Sequence, residues 1–357
     1  MKTIERYILR EFLKIFALSV SGLVLVFLIV DVFENMDTLI KHGVPLSAGI
    51  LYFAYKLPYI LTQVCPVATL LSTIISLGIL SRHNELVAMK SCGIKLFNII
   101  SPILVSGLFI SVSSVAIGEY ITPPAMKGAD VLAARWFGLK GSSTGANGVW
   151  IKTKDGILNL KEADLKKGEL NGITLYGLQR PFRVKERLEA KKAVWRDNAW
   201  VAREATVWRF SGQEGVTMEA AGEAIINGLP GPEDFSGAEN IQKNMSMGEL
   251  KKYIDGLEAD GLDAGRYYVD LYSRVTFPTI NFIMVLIGIP FAVGTGRKSG
   301  LYGSIGIAVI IAFSYWLIFA ASRSLGQNGV IPPIVAAAFP DALYLAIGVL
   351  MFGYIRQ

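Results

Sequence analysis

The chain has 357 residues, 52% of them hydrophobic and only 18% charged, whereas a soluble domain carries nearer a quarter charged residues. That balance excludes an ordinary soluble protein and points to one built into a membrane. The net charge of +6 is better explained by Lys and Arg beside membrane spans than by nucleic-acid binding, so no nucleic-acid partner is expected.

Ile4, Tyr7, Ile8, Phe12 and Ile15 recur at helical spacing, with Lys2, Glu5, Arg6, Arg10, Glu11 and Lys14 opposite or between them. This predicts an interfacial amphipathic helix running into a first span over 16–33. The mixed charges and the lack of a small-residue cleavage site speak against a signal peptide. The next apolar region, 50–80, is too long for one perpendicular crossing. With Pro58 and Pro66 inside it, it reads as a surface segment or kink followed by a tilted span. A third span covers 97–121, and three more follow at 275–293, 301–322 and 334–354.

Between the third and fourth spans lies a stretch of a different kind. Val184, Leu188 and Ala190 alternate with Arg183, Lys185, Arg187 and Glu189. Ile173, Leu175, Tyr176 and Leu178 mark a second strand. Ala202, Thr206, Trp208 and Phe210 share one face of a third, opposite Arg203, Ala205, Val207 and Arg209. Turn signals such as Asn171-Gly172 and Arg196-Asp197-Asn198 separate them. Short alternating strands of this kind predict an antiparallel sandwich or jelly roll. Residues 246–257 then read as an amphipathic helix leading back to the membrane.

The expected architecture is therefore an α-helical polytopic membrane protein of six transmembrane helices with an inserted all-β jelly-roll domain. Its parts are an N-terminal membrane half (1–121), the β domain (122–245) and a C-terminal membrane half (246–357). Short-loop charge orients it. Lys2, Arg6, Arg10, Lys14, Arg82, Lys90, Lys95, Arg297, Lys298 and Arg356 fall on one side, against Lys41 and Arg323 on the other. The excess of basic residues places both termini in the cytoplasm and the insert outside, which in a Gram-negative cell is the periplasm.

Little in the sequence points to chemistry within the chain. Gly294 to Gly300 lacks the spacing of a phosphate-binding loop and reads as a basic turn. His42 and His83 are far apart and have no partnering cysteines, so no metal site is expected. Cys65 and Cys92 both fall outside the insert, so no disulfide framework is implied. The insert contains no histidine, which leaves no Ser/His/Asp set, and no catalytic residue or cofactor is expected.

Two features remain as candidate sites. Residues 81–93 read as a short helix along the membrane face that Gly93 can cap. It is either a solvated turn or a docking helix for a cytoplasmic partner, with Glu85 meeting a basic residue there. Lys41 is either an ordinary snorkelling lysine or a cationic contact for an anionic lipid headgroup. Asp31, at a span end, reads as interfacial. No mid-span acid or base is recognised elsewhere, which argues against a proton-driven pump.

Several segments together resemble the lipopolysaccharide-export permeases, the LptF/LptG family, and are closer to the G type. They are Glu5-Arg6-Tyr7-Ile8, Leu39-Ile40-Lys41-His42-Gly43 and the run from Asn84 through Glu85, Leu86, Met89 and Lys90 to Gly93. Ile117-Gly118-Glu119-Tyr120, Asp263-Ala264-Gly265-Arg266-Tyr267-Tyr268 and Ile331-Pro332-Pro333 follow in the same order. The resemblance implies a half-transporter without an ATPase site of its own, bound for the bacterial inner membrane. Its implied partners are a sister permease (LptF type), a dimeric cytoplasmic ATPase (LptB type), a single-span jelly-roll protein (LptC type) and a soluble bridge (LptA type). The implied cargo is lipopolysaccharide. By position, Glu85 would be the acid facing the ATPase, with Leu86, Met89 and Gly93 forming the docking surface. Lys41 would lie near lipid phosphates, and the first and fifth spans would form the gates. Where G-type members carry two adjacent basic residues, this chain has Ile40-Lys41. Two other readings stand beside this one: a permease that transmits ATPase-driven force to periplasmic partners without moving lipid, and a membrane-anchored assembly protein or enzyme.

Overall fold

A computed structural model of the chain describes residues 2–41, 43–137, 149–153, 156–164, 169–179, 183–196, 199–210, 216–226, 244–259, 263–295 and 300–353. His42, Asp197, Asn198, Arg297 and Lys298 lie outside the described residues. In chain order the helices are α1 (Lys2–Lys41), α2 (Leu46–Arg82), α3 (Glu85–Ser91), α4 (Leu96–Ala116), a π turn (Ile117–Ile121) and α5 (Thr122–Phe137). After the strands come α6 (Met247–Ala259), α7 (Gly265–Thr295), α8 (Gly300–Gln327) and α9 (Pro333–Gly353). Among the described residues, six helical segments are long and apolar enough to cross a membrane, and they fall on the six expected spans. The chain divides into two compact units. One comprises Met1–Val32, Lys56–Pro124 and Met245–Gln357, the other Phe33–Tyr55 and Ala125–Asn244.

The helices run further than hydropathy alone suggests. The interfacial segment and first span are one helix, α1, about 60 Å long at 1.5 Å per residue. The expected surface segment or kink before the second span is absent as a break, because α2 continues through Pro58 and Pro66. Along it Thr69 Oγ1 donates to the Cys65 carbonyl at 2.7 Å and Thr73 Oγ1 to the Thr69 carbonyl at 2.8 Å, so each hydroxyl is satisfied within the helix. The helix begun in α4 also passes through the π turn into α5, so residues 122–137, assigned from sequence to the β insert, are helical.

The helical unit is organised around α7, and small residues let its neighbours approach closely. A Cβ on Gly107 of α4 would lie 2.6 Å from Val285 Cγ2, and one on Gly326 of α8 would collide with the Ala336 side chain of α9. Pro278 lies inside α7. In the turn that follows, the Phe282 amide donates to Ser111 Oγ of α4 at 3.0 Å and Asn281 Nδ2 donates to Ser114 Oγ at 3.2 Å. Gly107, Ser111 and Ser114 therefore form one face of α4, chosen for close approach and for hydrogen bonding to an opened helix turn. By contrast α8 packs through one stripe, Ala308, Ala312, Tyr315, Phe319 and Ser322, and leaves Val309, Ile310, Phe313, Trp316 and Leu317 exposed.

The insert is all-β and antiparallel. Strands β1 (Val149–Thr153), β2 (Gly156–Asp164), β3 (Glu169–Gln179), β4 (Arg183–Arg196), β5 (Ala199–Phe210) and β6 (Val216–Ile226) pair in chain order. Among the described residues the strands thus form a meander, without the crossovers of a jelly roll. What gives the sheet an inner face is a transverse crease. Apart from a register shift between Gly177 and Leu178 on β3, each pairing keeps one register but skips one row, which passes through Gly172, Lys191, Glu204 and Gly222. In that row Gly172 has φ +63° and Glu204 φ +54°. On β3 and β5 a left-handed residue resets the side-chain alternation, so buried positions jump by three, from Leu170 to Ile173 and from Ala202 to Ala205, and β4 between them shows the same jump from Ala190 to Ala193.

Two expectations change here. Asn171-Gly172 is not a hairpin turn but the crease in β3, because positive φ serves both. On β5 the expected single face is interrupted at Glu204: Trp200 and Ala202 are buried before it and Ala205 after it. The inner face is closed by Trp200, fully buried and 5.1 Å from Trp195 between ring centroids. At the crease, Lys191 Nζ lies 2.8 Å from Glu204 Oε2, which holds the Glu204 carboxyl below and the Lys191 ammonium above their usual ranges.

Candidate functional site

The α2–α4 junction folds as a helix with a defined start and stop. Asn84 enters it at φ +58°, a left-handed conformation that Asn tolerates better than most residues. Gly93 leaves it at φ +80°. The Gly93 amide donates to the Lys90 carbonyl at 3.0 Å and the Ile94 amide to the Met89 carbonyl at 3.1 Å. That pair of bonds is a Schellman motif, and a Cβ-bearing residue would strain it. α3 is therefore a built element rather than a solvated turn.

The four residues singled out in this segment occupy different places on it. Glu85 is partly exposed: its Oε2 accepts from the Tyr7 hydroxyl at 3.0 Å and its Oε1 lies 3.7 Å from His83 Nδ1. Leu86 turns inward, 6% exposed, into a core with Ile8, Phe12, Leu77, Leu80, Ile99 and Ile100. Met89, one turn along on the same side, packs against that core. Gly93 is exposed and sets the exit angle. Leu86 and Met89 thus anchor α3 within this chain, leaving Glu85, Val87, Ala88, Lys90 and Ser91 to face outward. The i, i+3 spacing of the two apolar side chains makes this the economical arrangement.

Lys41 is exposed in the last turn of α1, where its charge complements the helix terminus. Just beyond it the Gly43 amide donates to the Ile40 carbonyl and the Val44 amide to the Leu39 carbonyl, both at 3.1 Å, with Gly43 at φ +59°. Lys41 and Glu85 belong to separate units.

Several polar residues escaped the sequence reading. Asp31 is not simply interfacial. It is buried and bound by Lys56 of α2 through both oxygens, at 2.6 and 2.5 Å. A lone lysine in an apolar segment signals a buried anion partner, and Lys56 carried that signal. Asp341 contradicts the expectation of no further mid-span acid: it lies inside α9 and is 7% exposed. Tyr315 of α8 and Thr279 of α7 each donate to one of its oxygens at 2.8 Å. At the opposite end of the helical unit from α3, Asp270 Oδ1 accepts from Arg323 Nη2 and Gln327 Nε2, both at 2.8 Å. Nearby, the Glu119 carboxylate of the π turn caps α6 by accepting the Met247 amide at 2.8 and 3.0 Å, while Arg274 donates to the Met245 carbonyl.

Six apolar helices, an inserted antiparallel sheet and a capped helix between the second and third spans define a polytopic membrane protein of the permease type. The profile of the lipopolysaccharide export system permease LptF/LptG family matches residues 6–354, and the chain belongs to that family. It is 24% identical to the lipopolysaccharide export system permease protein LptG of Escherichia coli K12 over 374 residues, 96% of each chain. With the LptG of Haemophilus influenzae it shares 23% identity over 352 residues, covering 97% of this chain and 96% of the relative.

Proposed function

We propose that the chain is the permease subunit of an ATP-driven exporter that extracts lipopolysaccharide from the inner membrane and passes it to a periplasmic bridge. Its termini are cytoplasmic and its β insert periplasmic, as the distribution of short-loop Lys and Arg requires. Extraction is steeply uphill, since each buried CH₂ of an acyl chain contributes about 0.8 kcal/mol. A sister permease of the LptF type completes the membrane cavity, and a dimeric ATPase of the LptB type supplies the energy from the cytoplasm. Proteins of the LptC and LptA types receive the lipid. The chain itself supplies no catalysis and no cofactor.

The observation that carries this reading is α3, a capped and anchored helix whose outward face includes Glu85, in a chain matched to the export permeases almost end to end. In its role Glu85 meets a basic residue of the ATPase. Leu86, Met89 and Gly93 hold the helix in register for that contact, and Lys41 engages the phosphates of the lipid. The creased sheet offers an apolar inner face on which acyl chains are shielded.

Gentle detergent purification of the tagged chain, with mass spectrometry of what accompanies it, tests the assignment. Recovery of a six-span sister permease and a soluble ATPase is expected. Recovery of the folded chain alone would overturn it.

A further inference from the structure

Two segments far apart in sequence, Glu5-Arg6-Tyr7-Ile8 and the α3 run, meet in the structure. Tyr7 Oη donates to Glu85 Oε2 at 3.0 Å, and the next residue on each side, Ile8 and Leu86, is buried in one core with Phe12. The polar contact lies outside and the apolar contact inside, so α1 grips α3 through consecutive residues. Further along, α1 is loosely held: Leu18, Leu25, Val26, Phe27, Ile29 and Val30 are all exposed. At Asp31 it is fastened again, to Lys56 of α2. Within this chain the 40-residue helix is therefore held near its start and again at Asp31, with a largely exposed stretch between them. A displacement applied at the α3 attachment travels along α1, because a continuous helix transmits it whole.

We propose that Tyr7 is a positioning residue that fixes the Glu85 carboxylate and joins α3 directly to α1, so that force delivered at Glu85 passes into the first span. The inference rests on the reading of Glu85 as the contact to the ATPase. The hydroxyl is suited to the task because it donates to Oε2, while Oε1, 3.7 Å from His83 Nδ1 and so beyond hydrogen-bond distance of it, can still meet a cation from outside the chain. Removing it costs one partly solvated charge-assisted hydrogen bond, at the low end of the range for such bonds. The effect is on coupling rather than on folding.

The test uses the complete reconstituted complex and reads lipopolysaccharide released per ATP hydrolysed. Tyr7→Phe keeps the ring and its packing while deleting the donor. It is expected to leave thermal stability, ATPase association and ATP turnover near wild type, and to lower lipid released per ATP by about threefold or more. A merely structural role for Tyr7 would change stability or assembly and leave that ratio intact. Glu85→Lys runs alongside. If Glu85→Lys stops export and Tyr7→Phe keeps the wild-type ratio, the role of Tyr7 is refuted and the coupling acid stands. If Glu85→Lys exports normally, the reading of Glu85 itself fails.

Discussion

Lys56 Nζ lies within 2.6 Å of both Asp31 oxygens, with the two side chains 17% and 10% exposed, and so ties α1 to α2 by charge inside an apolar region. A pair this shielded is costly to break from one side, because the surviving charge is left buried. Asp31→Leu and Lys56→Met are each expected to destabilise the protein by about 3 kcal/mol. The double variant Asp31→Leu/Lys56→Met is expected to recover most of that loss. Thermal unfolding of the purified chain in detergent reads the difference. Simple additivity of the two single losses would contradict the pairing.

The close approaches around α7 predict a graded response to one added methyl group. Gly107→Ala must displace Val285, and Gly326→Ala must displace Ala336 and Val269. Each is expected to cost about 1–3 kcal/mol by overpacking. Gly306→Ala in α8 meets nothing within 4 Å and is expected to be neutral or slightly stabilising through helix propensity. Melting temperatures of the three variants, measured side by side, give the ranking directly.

Asp341 gathers two hydroxyls from two other helices, and an acceptor at this position matters more than its charge. Asp341→Asn is expected to remain close to wild type in stability. Asp341→Leu strands the Tyr315 hydroxyl, whereas Thr279 still donates to the Thr276 carbonyl at 2.6 Å, and it is expected to cost about 1–3 kcal/mol for the one donor left unsatisfied. Equal losses for the two variants would show that charge, not hydrogen bonding, is the requirement.

The sequence revealed the six spans because apolar length is a property of composition, and it placed α3 because Gly93 carries the signature of its own cap. It did not reveal which α3 side chains turn inward. Leu86 and Met89 are apolar whether they meet a partner or the chain's own Ile8 and Phe12, and only packing distinguishes the two. The crease was invisible for a related reason: period-two alternation on β5 looks continuous until Glu204 adopts positive φ. Lys56 and Asp341 were written in the sequence but hidden by hydropathy averaging, which dilutes one charge among many apolar neighbours. The continuity of α2 through Pro58 and Pro66 depends on neighbouring helices that a local rule cannot see.

If Lys41 engages lipid phosphates, its contribution is that of one exposed charge. Lys41→Ala is expected to raise the lipopolysaccharide concentration needed for half-maximal stimulation of the ATPase by up to about fivefold, the scale of a surface ion pair. An unchanged concentration dependence would remove Lys41 from the lipid site and leave its place in the helix terminus as its role.

In the proposed function, ATP hydrolysis outside this chain drives lipid export through contact at Glu85. ATP-dependent transfer of lipopolysaccharide out of proteoliposomes tests it most directly, comparing the wild-type complex with one carrying Glu85→Lys in a folded, membrane-inserted chain. Transfer by the wild type and its loss in the variant are expected. Transfer at the wild-type rate by the Glu85→Lys complex would contradict it.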